Sequence, residues 1–176
     1  MSERFLSGFA AFVLLAGVVF AAPGMAQSGA QSAADNADVK TYQDWQVRCP
    51  KDRSNGGCEM TQLVNNPDNG KPILRVVMGY PPEIQTAAMI FILPLGTRLA
   101  PGVQLTVDGG KPNTFPFQIC LEQGCRADFP VEDGLRNRLR SGSNATVSLI
   151  GPRGERIDLK VSLQGFTDAD NAIRGG

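Results

Sequence analysis

Beyond position 42 hydrophobic and polar residues alternate along most of the chain. Trp45, Val47 and Cys49 alternate with Asp44, Gln46 and Arg48, the period of two imposed by a strand with one buried face. Cys58 to Val64 reads as a second strand, and the intervening PKDRSNGG is rich in turn formers, which predicts a hairpin. The cluster Asn65-Asn66-Pro67-Asp68-Asn69-Gly70 leads into a third strand, Pro72 to Gly79. Asn, Asp and Gly tolerate positive φ there, and Pro presets its own. Ala87 to Leu93 is apolar without a break, which predicts a strand in mid-sheet, buried on both faces. Val103, Leu105 and Val107 alternate again before the turn Asp108-Gly109-Gly110, and Phe115, Phe117 and Ile119 share one face of the next strand. Ala145 to Ile150 and Arg156 to Leu163 form two more strands around Gly151-Pro152-Arg153-Gly154.

One interior segment follows the helical period instead. In VEDGLRNRLRSG, about residues 131 to 141, Val131, Leu135 and Leu139 fall on one stripe. Glu132 and Asp133 open the segment and Arg136, Arg138 and Arg140 close it, an order that complements the helix dipole. Arg136 and Arg140 share a face, read as the solvated end of the helix. Asp168 to Ile173 is a candidate for a short terminal helix. About eight short antiparallel strands and one helix predict an all-β fold, a single β-sandwich-like domain over residues 42–170 with a C-terminal tail at 171–176.

The N-terminus changes the picture of where this domain works. Arg4 precedes an apolar run from Phe5 to Ala22, and small residues at Gly24 and Ala26 follow, the three-part pattern of a secretory signal peptide. Residues 1–26 are therefore expected to be removed after Ala26, leaving a small, polar, flexible leader at 27–41. Removal takes Glu3 and Arg4, so the 176-residue chain with 17 acidic and 17 basic residues becomes one of 150 with 16 of each. That balance offers no electrostatic case for nucleic acid, and no later segment is long and apolar enough to cross a bilayer as a helix.

The chain has no histidine. This excludes Ser-His-Asp and Cys-His nucleophile systems and histidine zinc sites, and leaves catalysis to carboxylates, Lys, Tyr or Cys. Cys49, Cys58, Cys120 and Cys125 permit three pairings. Proximity favours Cys49 with Cys58 and Cys120 with Cys125, and an oxidising compartment favours disulfides. Loops this short contribute about 2–3 kcal/mol each and act as local clamps. A thiol-exchange pair at Cys120/Cys125 and a metal site remain alternatives. The gap of eight residues between Cys49 and Cys58 is too wide for zinc spacing, and C-L-E-Q-G-C lacks the following helix of a thioredoxin-like site. Glu122, Asp128, Glu132, Asp133, Asp168 and Asp170 are the acids from which a carboxylate hydrolase would be built, yet turns, helix starts and solvated faces account for each of them.

Several stretches together resemble the invasion-associated locus B family of exported bacterial proteins. They are Trp45-Gln46-Val47-Arg48-Cys49 with Cys58, Leu93-Pro94-Leu95-Gly96 with Leu99 and Gly102, and Val107-Asp108-Gly109. Phe117, Cys120, Gly124, Cys125 and Ala127 continue the pattern, and Val161-Ser162-Leu163 with Gly165-Phe166 closes it. The resemblance implies a β-sandwich-like domain in a periplasmic or outer-membrane-associated protein, with a part in host-cell entry in pathogenic relatives, and it brings no catalytic residues. No cofactor or metal is implied. The expected activity is non-catalytic binding of an envelope protein or other envelope component. The expected contact surface is the clamped loop from Cys120 to Pro130, with Phe129 exposed beside Arg126 and Asp128, an aromatic among charges on a preorganised loop; Phe129 as an ordinary core residue is the equal alternative.

Overall fold

The structure, a computed structural model, describes residues 36–52, 54, 56–67 and 69–175. The expected signal peptide and leader residues 27–35 lie outside the described residues. Those described form eleven strands and two helices. Strands β1 (Ala37–Tyr42), β2 (Trp45–Pro50), β3 (Glu59–Asn65), β4 (Pro72–Gly79) and β5 (Ala87–Leu93) come first. Next are β6 (Val103–Val107), β7 (Asn113–Phe115), β8 (Ile119–Leu121) and β9 (Gly124–Val131). Helix α1 (Asp133–Ser141), strands β10 (Asn144–Ile150) and β11 (Arg156–Ser162), and helix α2 (Phe166–Arg174) complete the chain.

Two antiparallel sheets result, one of seven strands in the order β1-β2-β3-β4-β5-β9-β8 and one of four in the order β11-β10-β6-β7. Each hairpin buries alternate residues. Val76, Met78, Met89, Phe91, Ala127 and Phe129 face inward from the larger sheet, and Leu105, Val147, Leu159 and Val161 meet them from the smaller. Phe115 on β7 stacks flat on Phe129 of β9, with ring centroids 3.6 Å apart. At the other end, buried Gln62 on β3 donates through Nε2 to the Ser162 carbonyl at 2.9 Å and accepts from the Ser162 amide at 2.9 Å.

Seven strands outnumber four, and α2 makes up the difference by packing on β1, β2 and β3 beside β11. Phe166 meets Trp45 edge-on at 5.3 Å, and the Trp45 indole N–H donates to the Ser162 carbonyl at 3.0 Å. Gly165 precedes the helix at φ 82°, where a Cβ would collide with the Tyr42 carbonyl, so only glycine lets the helix approach the β1–β2 turn.

The sandwich class holds, with four differences of detail. Ala37 to Thr41, read as leader, form β1 because β2 offers a free edge and the two pair in register from Ala37↔Pro50 to Tyr42↔Trp45. The run Phe115 to Ile119, read as one strand, divides into β7 and β8 of different sheets. Cys120 to Pro130, read as a loop, is a hairpin whose second strand buries Cys125, Ala127, Phe129 and Val131. Residues 171–174 of the expected tail belong to α2.

Arg136 and Arg140 do share a helix face, but it is not solvated. Asp170 of α2 is 0% exposed and accepts from Arg136 Nη2 and Arg140 Nη1 at 2.6 Å each. The Tyr80 hydroxyl donates to the same carboxylate at 2.8 Å. The Arg136 and Arg174 guanidinium carbons lie 5.9 and 5.5 Å from the Tyr80 ring centroid. Burial alone pulls the Arg136 guanidinium down, but the hydrogen bond and charge of Asp170 reverse this and raise it above its ordinary value.

Removing one partner of a buried ion pair strands the others, so Asp170→Ala is expected to cost about 3–5 kcal/mol, read from urea unfolding. The Tyr80 phenol is raised above its ordinary 10.0, first by burial and then by Asp170. The folded state thus favours the neutral phenol. Its contribution is whole below the unfolded value near pH 10 and is lost as pH rises through the higher folded value. Tyr80→Phe should remove that alkaline loss, which a comparison of pH-dependent melting temperatures of the two proteins measures.

Candidate functional site

A strand buried on one face presents its other face to something else, and the two sheets differ in what they present. On the smaller sheet the outward positions are Gln104, Thr106, Thr146, Ser148, Asp158 and Lys160, aligned by register. This face satisfies itself. Arg156 donates to Asp158 at 2.9 Å, to Ser148 Oγ at 2.8 Å and to Gln104 Oε1 at 3.2 Å. The Asp158 carboxyl is held below its usual range by a hydrogen bond from Ser148, with Arg156 adding to the effect.

The larger sheet presents the opposite character. Its register sets Leu63, Arg75, Ile92, Arg126 and Ile119 in one outward row across five strands. Thr61, Val77, Ile90 and Asp128 form the next row. Leu63 is 55% exposed, Ile119 49% and Leu121 55%. Two shallow grooves cross this face. One of about 340 Å³ is bordered by Leu63, Ile73, Arg75, Ile92, Pro94 and Gln123. The other, about 220 Å³, is bordered by Val77, Tyr80, Pro82, Ala88 and Ile90. Towards β1 and β2 the rows turn polar, through Gln46, Thr41, Arg48 and Glu59. Among the described residues no element packs over the apolar part.

The expected contact residues divide across the sheet. Arg126 and Asp128 point outward and pair at 2.6 Å, and Gln118 bonds the Asp128 backbone in both directions. Phe129 points inward and is 4% exposed, packed between Phe115 and Phe91. The expectation of an exposed Phe129 is thus overturned by strand parity, since neighbouring residues of β9 face opposite sides. Ile90 and Ile92 of β5 are the apolar side chains that lie outward beside the pair.

The four cysteines pair as proximity suggests, Cys49 with Cys58 and Cys120 with Cys125, at Cα separations of 4.1 and 4.0 Å. Both bridges tie neighbouring segments of the larger sheet, Cys49 of β2 to Cys58 just before β3 and Cys120 of β8 to Cys125 of β9. Gly124 sits in the tight β8–β9 turn at φ 136°, where a Cβ would collide with the Leu93 carbonyl. Cys58 and Cys125 are buried, and neither bridge leads into a helix. Asp170 is committed to its two arginines. Among the described residues, no three His, Cys, Asp or Glu side chains gather as a metal site would require.

A profile described as "Invasion associated locus B (IalB) protein" matches residues 45–174. The chain belongs to this family. An invasion protein B homolog of Brucella abortus (strain 2308) is 29% identical over 142 residues, covering 77% of this chain and 78% of the relative. The homolog from Brucella abortus biovar 1 (strain 9-941) matches to the same extent. The crystal structure of invasion associated protein B from Bartonella henselae shares the fold, with a TM-score of 0.70 at 20% identity, over 78% of this chain and 96% of that one.

In this member of the IalB family the outward apolar residues of β4 and β5 were missed by sequence reading. The signal was present in β5, where an unbroken apolar run meant an apolar outer face instead of a second buried one. The contrast is measurable within two neighbouring positions. Phe91→Ala, on the inner face, should cost about 3–5 kcal/mol in urea unfolding, whereas Ile92→Ser should change stability by under about 1 kcal/mol and reduce binding of a hydrophobic dye to the folded protein.

Proposed function

We propose that the protein is an exported, envelope-associated binding protein that acts by contact and carries no catalytic activity. The single observation behind this reading is the apolar outer face of the larger sheet. A sheet that exposes Leu63, Ile119 and Leu121 and leaves Ile73, Val77, Ile90 and Ile92 half-buried on the same side is a surface awaiting cover, since contiguous apolar patches mark interaction sites in soluble proteins. Arg75 and the Arg126–Asp128 pair stand within it as polar markers of orientation. Two disulfides suit the oxidising periplasm, to which the N-terminal signal pattern would deliver the chain. The curated relatives are named invasion proteins, and on this reading such a role is exerted by gripping another envelope component.

The test is affinity capture of the tagged mature protein after cross-linking in intact envelopes, with partners quantified by mass spectrometry. Ile90→Asp/Ile92→Asp should lower recovery of the principal partner at least tenfold, and Lys160→Glu on the polar sheet should leave it unchanged. Equal recovery with both variants would remove the open face from the function.

A further inference from the structure

The occupant of the open face can be narrowed by its charges. Arg75 on β4 is exposed, and among the described residues it makes no ion pair. Asp128 on β9 commits Oδ1 to Arg126 and keeps Oδ2 without a protein donor among the described residues. Between their strands runs β5, with Ile92 in the row of Arg75 and Ile90 in the row of Asp128. One cation and one anion therefore flank a common apolar centre at equal offsets, one strand and half a row to either side. Strand spacing and rise put their Cα atoms about 12 Å apart, with β5 between them, and among the described residues the two do not pair with each other.

A two-fold axis lying in the interface through the midpoint of Ile90 and Ile92 exchanges these two positions. Set face to face about that axis, each Arg75 meets the Asp128 of the other copy, and apolar residues of β4 and β5 cover one another. We infer that this face self-associates, a second copy of the chain covering it in an isologous dimer. The inference rests on the face being a contact surface, as proposed above. In the dimer Asp128 would sit between Arg126 and the opposite Arg75, the same two-guanidinium arrangement that Asp170 has with Arg136 and Arg140. Strands of the two copies cross at a steep angle, nearer the orthogonal than the aligned class of sheet packing. A net charge of zero removes long-range repulsion between copies.

The size of the face sets the strength. Five strands and four rows of residues give about 20 Å by 20 Å, or roughly 400 Å² in plan, against about 800 Å² per partner in a standard stable interface. The dimer is accordingly weak and exchangeable. It shields the apolar face until an envelope partner displaces the second copy.

Sedimentation equilibrium of the mature protein over a wide concentration range tests this, with circular dichroism confirming that each variant folds. Wild type should move reversibly between monomer and dimer. Ile92→Asp, Arg75→Asp and Asp128→Arg should each weaken dimerisation at least tenfold, and the double exchange Arg75→Asp/Asp128→Arg should restore it. Wild type that stays monomeric at every concentration overturns the inference, as does a dimer indifferent to Ile92→Asp or a double exchange that restores nothing. A monomer that co-sediments with phosphatidylglycerol vesicles through Ile92 also overturns it, in favour of a lipid occupant. The two readings fail separately. Loss of partner capture in Ile90→Asp/Ile92→Asp with a monomeric wild type removes only the dimer, and a dimer with capture unaffected by those variants removes only the partner.

Discussion

The carboxylate of Asp170 holds together parts of the chain that the two sheets do not join. It receives Arg136 and Arg140 from α1 and the hydroxyl of Tyr80, which follows β4, and so ties both helices to the larger sheet. A buried charge is tolerable only when fully paired, so these groups must assemble together or not at all. That condition places α2 over β1 to β3, with Trp45 and Phe166 closing the interior beneath it. Without the helix, a four-stranded sheet would leave the inner face of three strands open to water. Whatever contact the outer face makes depends on this inner cover.

Once the inner face is closed by one sheet and one helix, strand parity determines the rest. Each inward residue of β3, β4, β5 and β9 forces its neighbours outward. On the smaller sheet the neighbours are hydroxyls, amides and paired charges, joined into a network around Arg156. On the larger sheet they include Leu63, Val77, Ile90 and Ile92, with Arg75, Arg126 and Asp128 set among them. The backbone imposes no such difference. It lies in the side chains alone, at positions where a polar residue would cost the fold little.

The fold class was legible because alternation survives in most strands, and the cysteine pairing because each pair flanks a turn. β1 was hidden, since Asp38, Val39, Lys40 and Thr41 carry no inward hydrophobic pattern and gain their strand conformation from pairing with β2. The site was half legible. Arg126 and Asp128 lie on the outer face, yet their neighbour Phe129 could be assigned a side only with the register of β9 known. The apolar run of β5 was visible, but its meaning was ambiguous, because a strand buried twice and a strand half-buried on one side have the same sequence. Asp170 looked like a helix-start acid, and nothing local marks the two arginines thirty or so positions earlier as its partners.

The disulfides take on a different sense in this light. Both lie within the larger sheet, one near each flank of the apolar face, and neither connects the two layers. Cohesion between layers therefore comes from the packed core, from Gln62 and Ser162, and from the Asp170 cluster. Short bridges between adjacent strands add about 2–3 kcal/mol each, less than long-range ones would, and they limit fraying where the sheet would otherwise be loosest. Cys120–Cys125 is the clearer case, because β8 is an edge strand of three exposed residues that two hydrophobic side chains, Ile119 and Leu121, need as a platform. On the proposed contact role, fixing that platform beforehand lowers the ordering cost on binding. The motif at residues 120–125 thus serves the face on which β8 lies, and its cysteines matter for the shape of a surface they do not themselves form.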